Sequence, residues 1–144
     1  MGQEVSQIGN DLEGALCYGS GSSYRIHQLV DEASGMKYVK VVSYDELSSV
    51  CIYNFGATVT SWIVNNQEQL FVSNSAIFNS KKAIRGGIPL VFPQFGTKDG
   101  SLLSQHGFAR NSEWIYINDK NYSKCSSQCA TVSFKLESND DTIK

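Results

Sequence analysis

The sequence contains no long apolar run and carries almost no excess charge. None of its stretches reaches the about 20 apolar residues that a membrane-spanning helix requires. Lys and Arg number 12 against 14 Asp and Glu, a net charge of −2, whereas a protein that displaces counterions from nucleic acid needs a basic surface. The composition therefore favours an ordinary soluble globular domain over a membrane-spanning or nucleic-acid-binding protein.

The sequence is also poor in metal-binding patterns. It has two His and four Cys, and Cys125 and Cys129 lie four residues apart without the nearby His that a zinc spacing requires. The first residues lack the charged and then apolar pattern of a secretory signal. We therefore expect no metal site, a cytoplasmic location, and free thiols at all four cysteines. These are Cys17, Cys51, Cys125 and Cys129.

Residues 1–23 are polar and rich in Gly and Ser, which predicts a flexible N-terminal arm. Gly2 after the initiating Met, with Ser6 following, fits the pattern for N-myristoylation. The alternative is a plain polar terminus. A single myristoyl chain binds membranes only marginally, so this modification predicts at most a weak membrane association.

From Tyr24 onward the pattern is typical of β-structure, and no segment has a long helical period. Apolar residues alternate with polar ones from Ala130 to Glu137, which predicts a half-buried strand. The other predicted strands are rich in β-branched and aromatic residues. They span residues 50–53, 58–64, 70–72 and 114–117. Many short strands separated by turn residues favour an all-β sandwich or barrel.

Residues 83–111 do not follow this pattern. The segment holds both prolines and several glycines and has no clean alternation. Long irregular segments inside a compact domain are usually functional or disordered, and here we expect order because many of the residues are apolar. We expect burial of Ile84, Ile88, Leu90, Val91, Phe92, Phe95 and Phe108. An ordered irregular segment with Arg and His is a candidate binding site.

Arg85, His106 and Arg110 are the candidate binding residues of this segment. Gly86 and Gly87 allow the backbone to pass close to a ligand. The planar guanidinium of Arg makes paired, charged hydrogen bonds with phosphate. Each residue has a simpler interpretation, since single arginines are commonly surface residues and single histidines commonly structural.

Two motifs resemble the signature of the glucose-6-phosphate 1-epimerase group of the galactose-mutarotase-like, or aldose 1-epimerase, family. The first reads Ile-Arg-Gly-Gly-Ile-Pro at 84–89 and continues with Phe-Pro-Gln-Phe-Gly at 92–96. The second reads His-Gly-Phe-Ala-Arg at 106–110, with Trp114 shortly after. Residues 54–62 also resemble the family's early strand pair, and the similarity runs from about Tyr44 to Leu136.

The resemblance implies a galactose-mutarotase-like β-sandwich, or supersandwich, of which residues 24–144 form the N-terminal portion. It implies interconversion of the α and β anomers of a hexose 6-phosphate, without metal or cofactor. Arg85 and Arg110 would bind the phosphate, and His106, with Gln105 beside it, would contact the sugar.

One departure concerns catalysis. In the family the principal acid is a second histidine, and the base is a glutamate, both further along the chain than the matched region. His27 lies in the wrong place for that acid and reads as a strand or surface residue. The resemblance therefore implies a substrate-binding half without an assigned catalytic residue. We expect this chain alone to be inactive and poorly stable as a monomer. Besides an epimerase, it fits a non-catalytic sugar-phosphate-binding module or a structural domain that only retains the motifs.

Overall fold

A computed structural model describes residues 23–97, 99–100, 102–139 and 142. The predicted arm, with Gly2 and Cys17, lies outside the described residues except for Ser23. No helix in the described ranges is long and apolar enough to span a membrane. The described strands are β1 (Tyr24–Val30), β2 (Lys37–Ser43), β3 (Ser49–Tyr53), β4 (Thr58–Val64), β5 (Gln67–Glu68), β6 (Ile115–Tyr116), β7 (Lys124–Cys125), β8 (Ala130–Thr131) and β9 (Phe134–Lys135).

The first five strands form one antiparallel meander in the order β1-β2-β3-β4-β5. A two-residue turn joins β4 to β5, with Val64 opposite Gln67. Both turn residues are asparagines with positive φ, 49° at Asn65 and 62° at Asn66. This is the backbone of a type I′ hairpin, and Asn enters the left-handed region more readily than most residues. Two smaller antiparallel sheets pair β6 with β9 and β7 with β8. The predicted all-β architecture is confirmed, and the sheets are antiparallel.

Two hydrophobic clusters anchor the meander to the rest of the chain. In one, Ile26 and Val39 pack with Tyr116 of β6. In the other, Met36 and Phe55 pack with Ile84, which is 3% exposed. Ile84 begins the irregular segment, so the core fixes the point at which that segment leaves the meander.

The strand predictions succeed in the meander and weaken beyond it. The predicted strands 50–53 and 58–64 coincide with β3 and β4. The predicted strand 70–72 is wrong, because the N–H of Leu70 bonds to the Glu68 carboxylate and only Val72 forms an isolated bridge, to Gly86. The predicted strand 114–117 is reduced to β6.

The predicted strand 130–137 is divided between β8 and β9, which belong to different sheets. The buried hydroxyl of Ser123 accepts the N–H of Ser133 and donates to the carbonyl of Ile117. Between β8 and β9, the hydroxyl of Ser123 therefore takes the hydrogen-bonding place of a partner strand at Ser133. Half-buried and exposed residues nevertheless alternate from Ala130 to Glu137, except that Ser133 is half-buried.

The described residues of the irregular segment make defined backbone contacts, as the predicted order requires, but most of the apolar ones are exposed. Ile84 is buried and Phe108 is half-buried. The expectation of burial is wrong for five residues, because the described elements do not cover this face of the segment. The exposed residues are Ile88, Leu90, Val91, Phe92 and Phe95.

Candidate functional site

The first motif passes between β4 and the chain at 71–73. The N–H of Gly87 bonds to the carbonyl of Phe71 at 2.8 Å. Ile88 and Val59 exchange two backbone hydrogen bonds, at 2.8 and 3.2 Å. A Cβ added at residue 87 would overlap the carbonyl oxygen of Val59, and φ is +64° there. Only glycine fits this conformation and this close approach together, which explains the second glycine of the Gly-Gly pair after Arg85.

His106 of the second motif is held against Gly96 of the first motif. The N–H of His106 bonds to the carbonyl of Gly96 at 2.8 Å, and the N–H of Gly96 bonds to Nδ1 of His106 at 2.9 Å. The Phe95 ring packs against the imidazole with centroids 4.9 Å apart. An Nδ1 that accepts a hydrogen bond carries no proton, so neutral His106 has its proton on Nε2. The geometry therefore presents an Nε2–H donor.

Further contacts join the two motifs and the residues that flank them. Phe92 and Gly107 form a parallel bridge, and the Phe92 and Phe108 rings meet edge to face at 5.8 Å. At the other end, the N–H of Ala83 donates to Oδ1 of Asn111 at 3.0 Å. The segment before Arg85 is thus attached to the turn that carries Arg110.

Arg110 lies in a 3-10 turn, Ala109–Asn111, which Trp114 supports by donating from its indole Nε1 to the carbonyl of Ala109 at 2.9 Å. Nη2 of Arg110 donates to the carbonyl of Gln105 at 2.8 Å. Nε of Arg110 is buried without a hydrogen-bond partner among the described residues. A buried donor left unpaired costs free energy, so this guanidinium is suited to an added acceptor.

Arg85 differs from Arg110 in its surroundings. Its side chain is exposed and forms no ion pair or hydrogen bond with any residue that the structure describes. Gln105 is also exposed and contributes its backbone carbonyl to Arg110. The sequence-predicted residues thus fall on two motifs in contact, with Arg110, Gln105 and His106 on the second.

Other titratable residues lie outside the two motifs. His27 lies in β1 opposite Lys40, as a strand residue, which the sequence predicted. Glu113 bridges Phe55 beside the second motif. Partial burial raises the pKa of the Glu113 carboxyl, and the charge of Lys37 opposes that effect. Among the described residues, no cluster of His, Cys, Asp and Glu could hold a metal ion, and Cys51 and Cys129 are free thiols.

The sequence did not predict the positioning roles of Gly96 and Asn111. Both residues stand inside or beside the recognised motifs. Gly96 orients His106 through a backbone amide, and Asn111 joins the two motifs through its side chain. Neither role has a periodic signal, because both depend on contacts between separate segments of irregular chain.

Comparison with known proteins agrees with this architecture. The chain resembles the solved structure of a "putative mutarotase" from Salmonella typhimurium with a TM-score of 0.56 and 26% identity, over 90% of this chain and 40% of that one. The fold is therefore that of the mutarotases. A model of the family "Aldose 1-epimerase" matches residues 40–143. The chain belongs to the aldose 1-epimerase family.

Two curated relatives share the name "Putative glucose-6-phosphate 1-epimerase". The one from Cenchrus ciliaris is 56% identical over 69 residues, which are 47% of this chain and 20% of the relative. The one from Salmonella typhimurium is 36% identical over 93 residues, which are 62% of this chain and 29% of the relative. The chain thus spans less than a third of the length of either relative.

Proposed function

We propose that this chain supplies the substrate-binding part of a glucose-6-phosphate 1-epimerase, which interconverts the α and β anomers of a hexose 6-phosphate. The observation that carries the proposal is the joined pair of motifs, with two guanidinium groups and an oriented imidazole donor. Arg110 has a buried Nε without a partner among the described residues, and the guanidinium of Arg85 forms no ion pair or hydrogen bond with any of them. Both suit the oxygens of a phosphate group. The names of the two curated relatives support this substrate.

The chemistry of anomer exchange defines what these residues would do. A base removes the proton of the anomeric hydroxyl while an acid protonates the ring oxygen, so that the ring opens, the aldehyde rotates and the ring closes on its other face. Arg85 and Arg110 would hold the phosphate, and the Nε2–H of His106 would donate to an oxygen of the sugar, near Gln105. No carboxylate lies within either motif, so these residues bind and orient the substrate.

The first prediction concerns preference for phosphorylated sugars. Hydrogen bonds to charged groups contribute about 1.5–3 kcal/mol each, so we expect Arg85→Ala and Arg110→Ala each to weaken binding of glucose 6-phosphate about 10- to 150-fold. Glucose should bind these variants as it binds the parent chain. Isothermal titration with both sugars measures this preference.

Arg25→Ala is the matched control, since Arg25 pairs with Glu46 at 2.8 Å on the meander. It should leave the preference unchanged. An identical preference for glucose 6-phosphate in the parent and all three variants would contradict the proposal.

A non-catalytic sugar-phosphate-binding module is the second candidate. It is favoured by the position of His27, which lies on the meander strand β1 and outside the two motifs. Exchange spectroscopy of glucose 6-phosphate anomers with the purified chain separates the two candidates. Binding without accelerated exchange supports the module, and accelerated exchange supports the epimerase.

A further inference from the structure

The positive charge of this acidic chain is concentrated around the first motif. Residues 69–98 contain no Asp or Glu and four basic residues, which are Lys81, Lys82, Arg85 and Lys98. The other 114 residues contain eight basic and 14 acidic residues. A cationic region in a protein of opposite net charge raises the local concentration of anions.

The backbone that carries Lys81 and Lys82 is fixed. Oδ1 of Asn79 accepts the N–H of Lys81 at 3.0 Å. On the other side, Ala83 is bonded to Asn111 and Ile84 is buried in the core. The loop is therefore held beside the turn that carries Arg110.

The two lysine side chains are exposed and available. Neither forms an ion pair or hydrogen bond with a residue that the structure describes. Arg25 and Lys135 differ in this respect, since Arg25 pairs with Glu46 and Lys135 pairs with Glu137. Lys120 and Lys124 are also exposed, without an ion pair to a described residue. Lys81 and Lys82 are therefore distinguished by their position, between the link to Asn111 and the first motif.

We propose that Lys81 and Lys82 form an anion-recruiting rim of the site, which attracts a dianionic phosphate group and delivers it to Arg85 and Arg110. The identification of the anion as part of a sugar phosphate rests on the proposed function. The ammonium groups are solvated, so they act by steering and by weak, salt-screened attraction. The arginines, with their planar donor geometry, make the directed hydrogen bonds.

The test compares two double variants with the same loss of charge. Lys81→Gln/Lys82→Gln removes the rim, and Lys120→Gln/Lys124→Gln removes two exposed lysines elsewhere. Inorganic phosphate and glucose 6-phosphate are titrated into the full chain at low ionic strength and at about 0.5 M salt, where the screening length is a few ångströms. Amide chemical shifts of residues 79–85 report where the anion binds.

We expect the rim variant to bind both anions about fivefold more weakly at low ionic strength, with the difference lost at high salt, and the control to match the parent. The proposed rim would be contradicted if the rim variant and the parent bound both anions with equal affinity at low ionic strength. It would also be contradicted if the parent chain bound no phosphate. If phosphate binds at residues 79–85 but glucose 6-phosphate binds no better than phosphate, the result supports the rim and contradicts the proposed sugar function.

Discussion

His106 combines a left-handed backbone with a fixed side-chain tautomer. Its φ is 65°, a conformation that is uncommon for residues other than Gly, although His, Asn and Asp adopt it more readily than most. The two bonds to Gly96 hold it there. A residue held away from its preferred backbone conformation persists only where its surroundings fix it, which is frequent at functional sites. Nδ1 of His106 positions the ring, whereas Nε2 is the nitrogen proposed to contact the ligand. Substitutions can therefore test the two functions separately.

His106→Asn and His106→Gln should therefore have opposite effects. Asn offers an acceptor at the position of Nδ1 and tolerates positive φ, so we expect it to keep the stability of the parent and to bind glucose 6-phosphate about 2- to 12-fold more weakly, the range for one hydrogen bond. Gln offers a donor near the position of Nε2 and should retain more binding at lower stability. Thermal melting and titration calorimetry measure both effects, and an unfolded His106→Asn variant would show that the histidine is structural.

Glu68 stabilises the hairpin of β4 and β5 in its charged form. Its carboxylate accepts hydrogen bonds from the hydroxyl of Ser61 and from the N–H groups of Trp62 and Leu70. Chiefly the Ser61 bond holds the pKa of Glu68 below its ordinary value of 4.5. A lowered folded pKa gives stability that is present above the unfolded pKa and is lost as the pH falls through the folded pKa.

We therefore expect Glu68→Gln to be less stable than the parent at pH 7, by at most about 1 kcal/mol because the carboxylate is exposed. The difference should shrink as the pH falls below 4.5, the ordinary pKa of the carboxyl. Denaturant titrations across this pH range test the expectation, with the exposed Glu32→Gln as control. A difference that stays constant with pH would mean that the charge of Glu68 is not involved.

At the scale of elements, the passage of the first motif beside β4 depends on Gly87. Gly87→Ala adds both strain at positive φ and an overlap with the carbonyl of Val59. Gly35→Ala is the matched control, since φ is +71° and its added Cβ meets nothing within 4 Å. We expect about 1–2 kcal/mol of destabilisation for Gly35→Ala from strain and a further 1–3 kcal/mol for Gly87→Ala from overpacking. Equal losses in denaturant unfolding would show that the close approach to Val59 contributes nothing.

The sequence predicts elements where their determinants are local. The strands β3 and β4 follow from β-branched residues and from the asparagine turn between β4 and β5, all within a few residues. The division of 130–137 depends on Ser123, and the loss of the predicted strand 70–72 depends on the Glu68 carboxylate. These side chains compete with backbone partners, and such competition has no periodic signal.

In the candidate site, too, the sequence predicts the residues whose determinants are local and does not predict the contacts between distant segments. The motifs locate Arg85, His106 and Arg110 directly, since each stands inside a recognisable run of residues. The clamp between Gly96 and His106, and the link between Ala83 and Asn111, arise only when the chain folds back on itself. The exposure of Phe92 and its neighbours is likewise a property of the packed chain.

At the scale of the whole molecule, the exposed apolar residues predict self-association. Three of these exposed residues, Leu90, Val91 and Phe92, line a groove of about 700 Å³. The lining of the groove also includes Trp114, Phe134 and Leu136. Contiguous exposed apolar surface favours association in water. We expect the mass measured by light scattering to rise with concentration, and Val91→Glu to reduce that rise. Ile77→Glu, at an apolar residue that is 52% exposed outside the groove lining, is the control. A monomer at every concentration would contradict this prediction.

The meander has a consequence for the order in which the chain folds. Each of its strands pairs with its neighbour in sequence, whereas the site segment is attached by distant pairs such as Val59 with Ile88 and Asn54 with Trp114. Local pairings close short loops and form early, while distant ones form after a larger loss of chain entropy. The sheet can therefore form before the site. Substitutions in the two motifs should then act chiefly on the rate of unfolding, because their contacts are made after the rate-limiting step of folding.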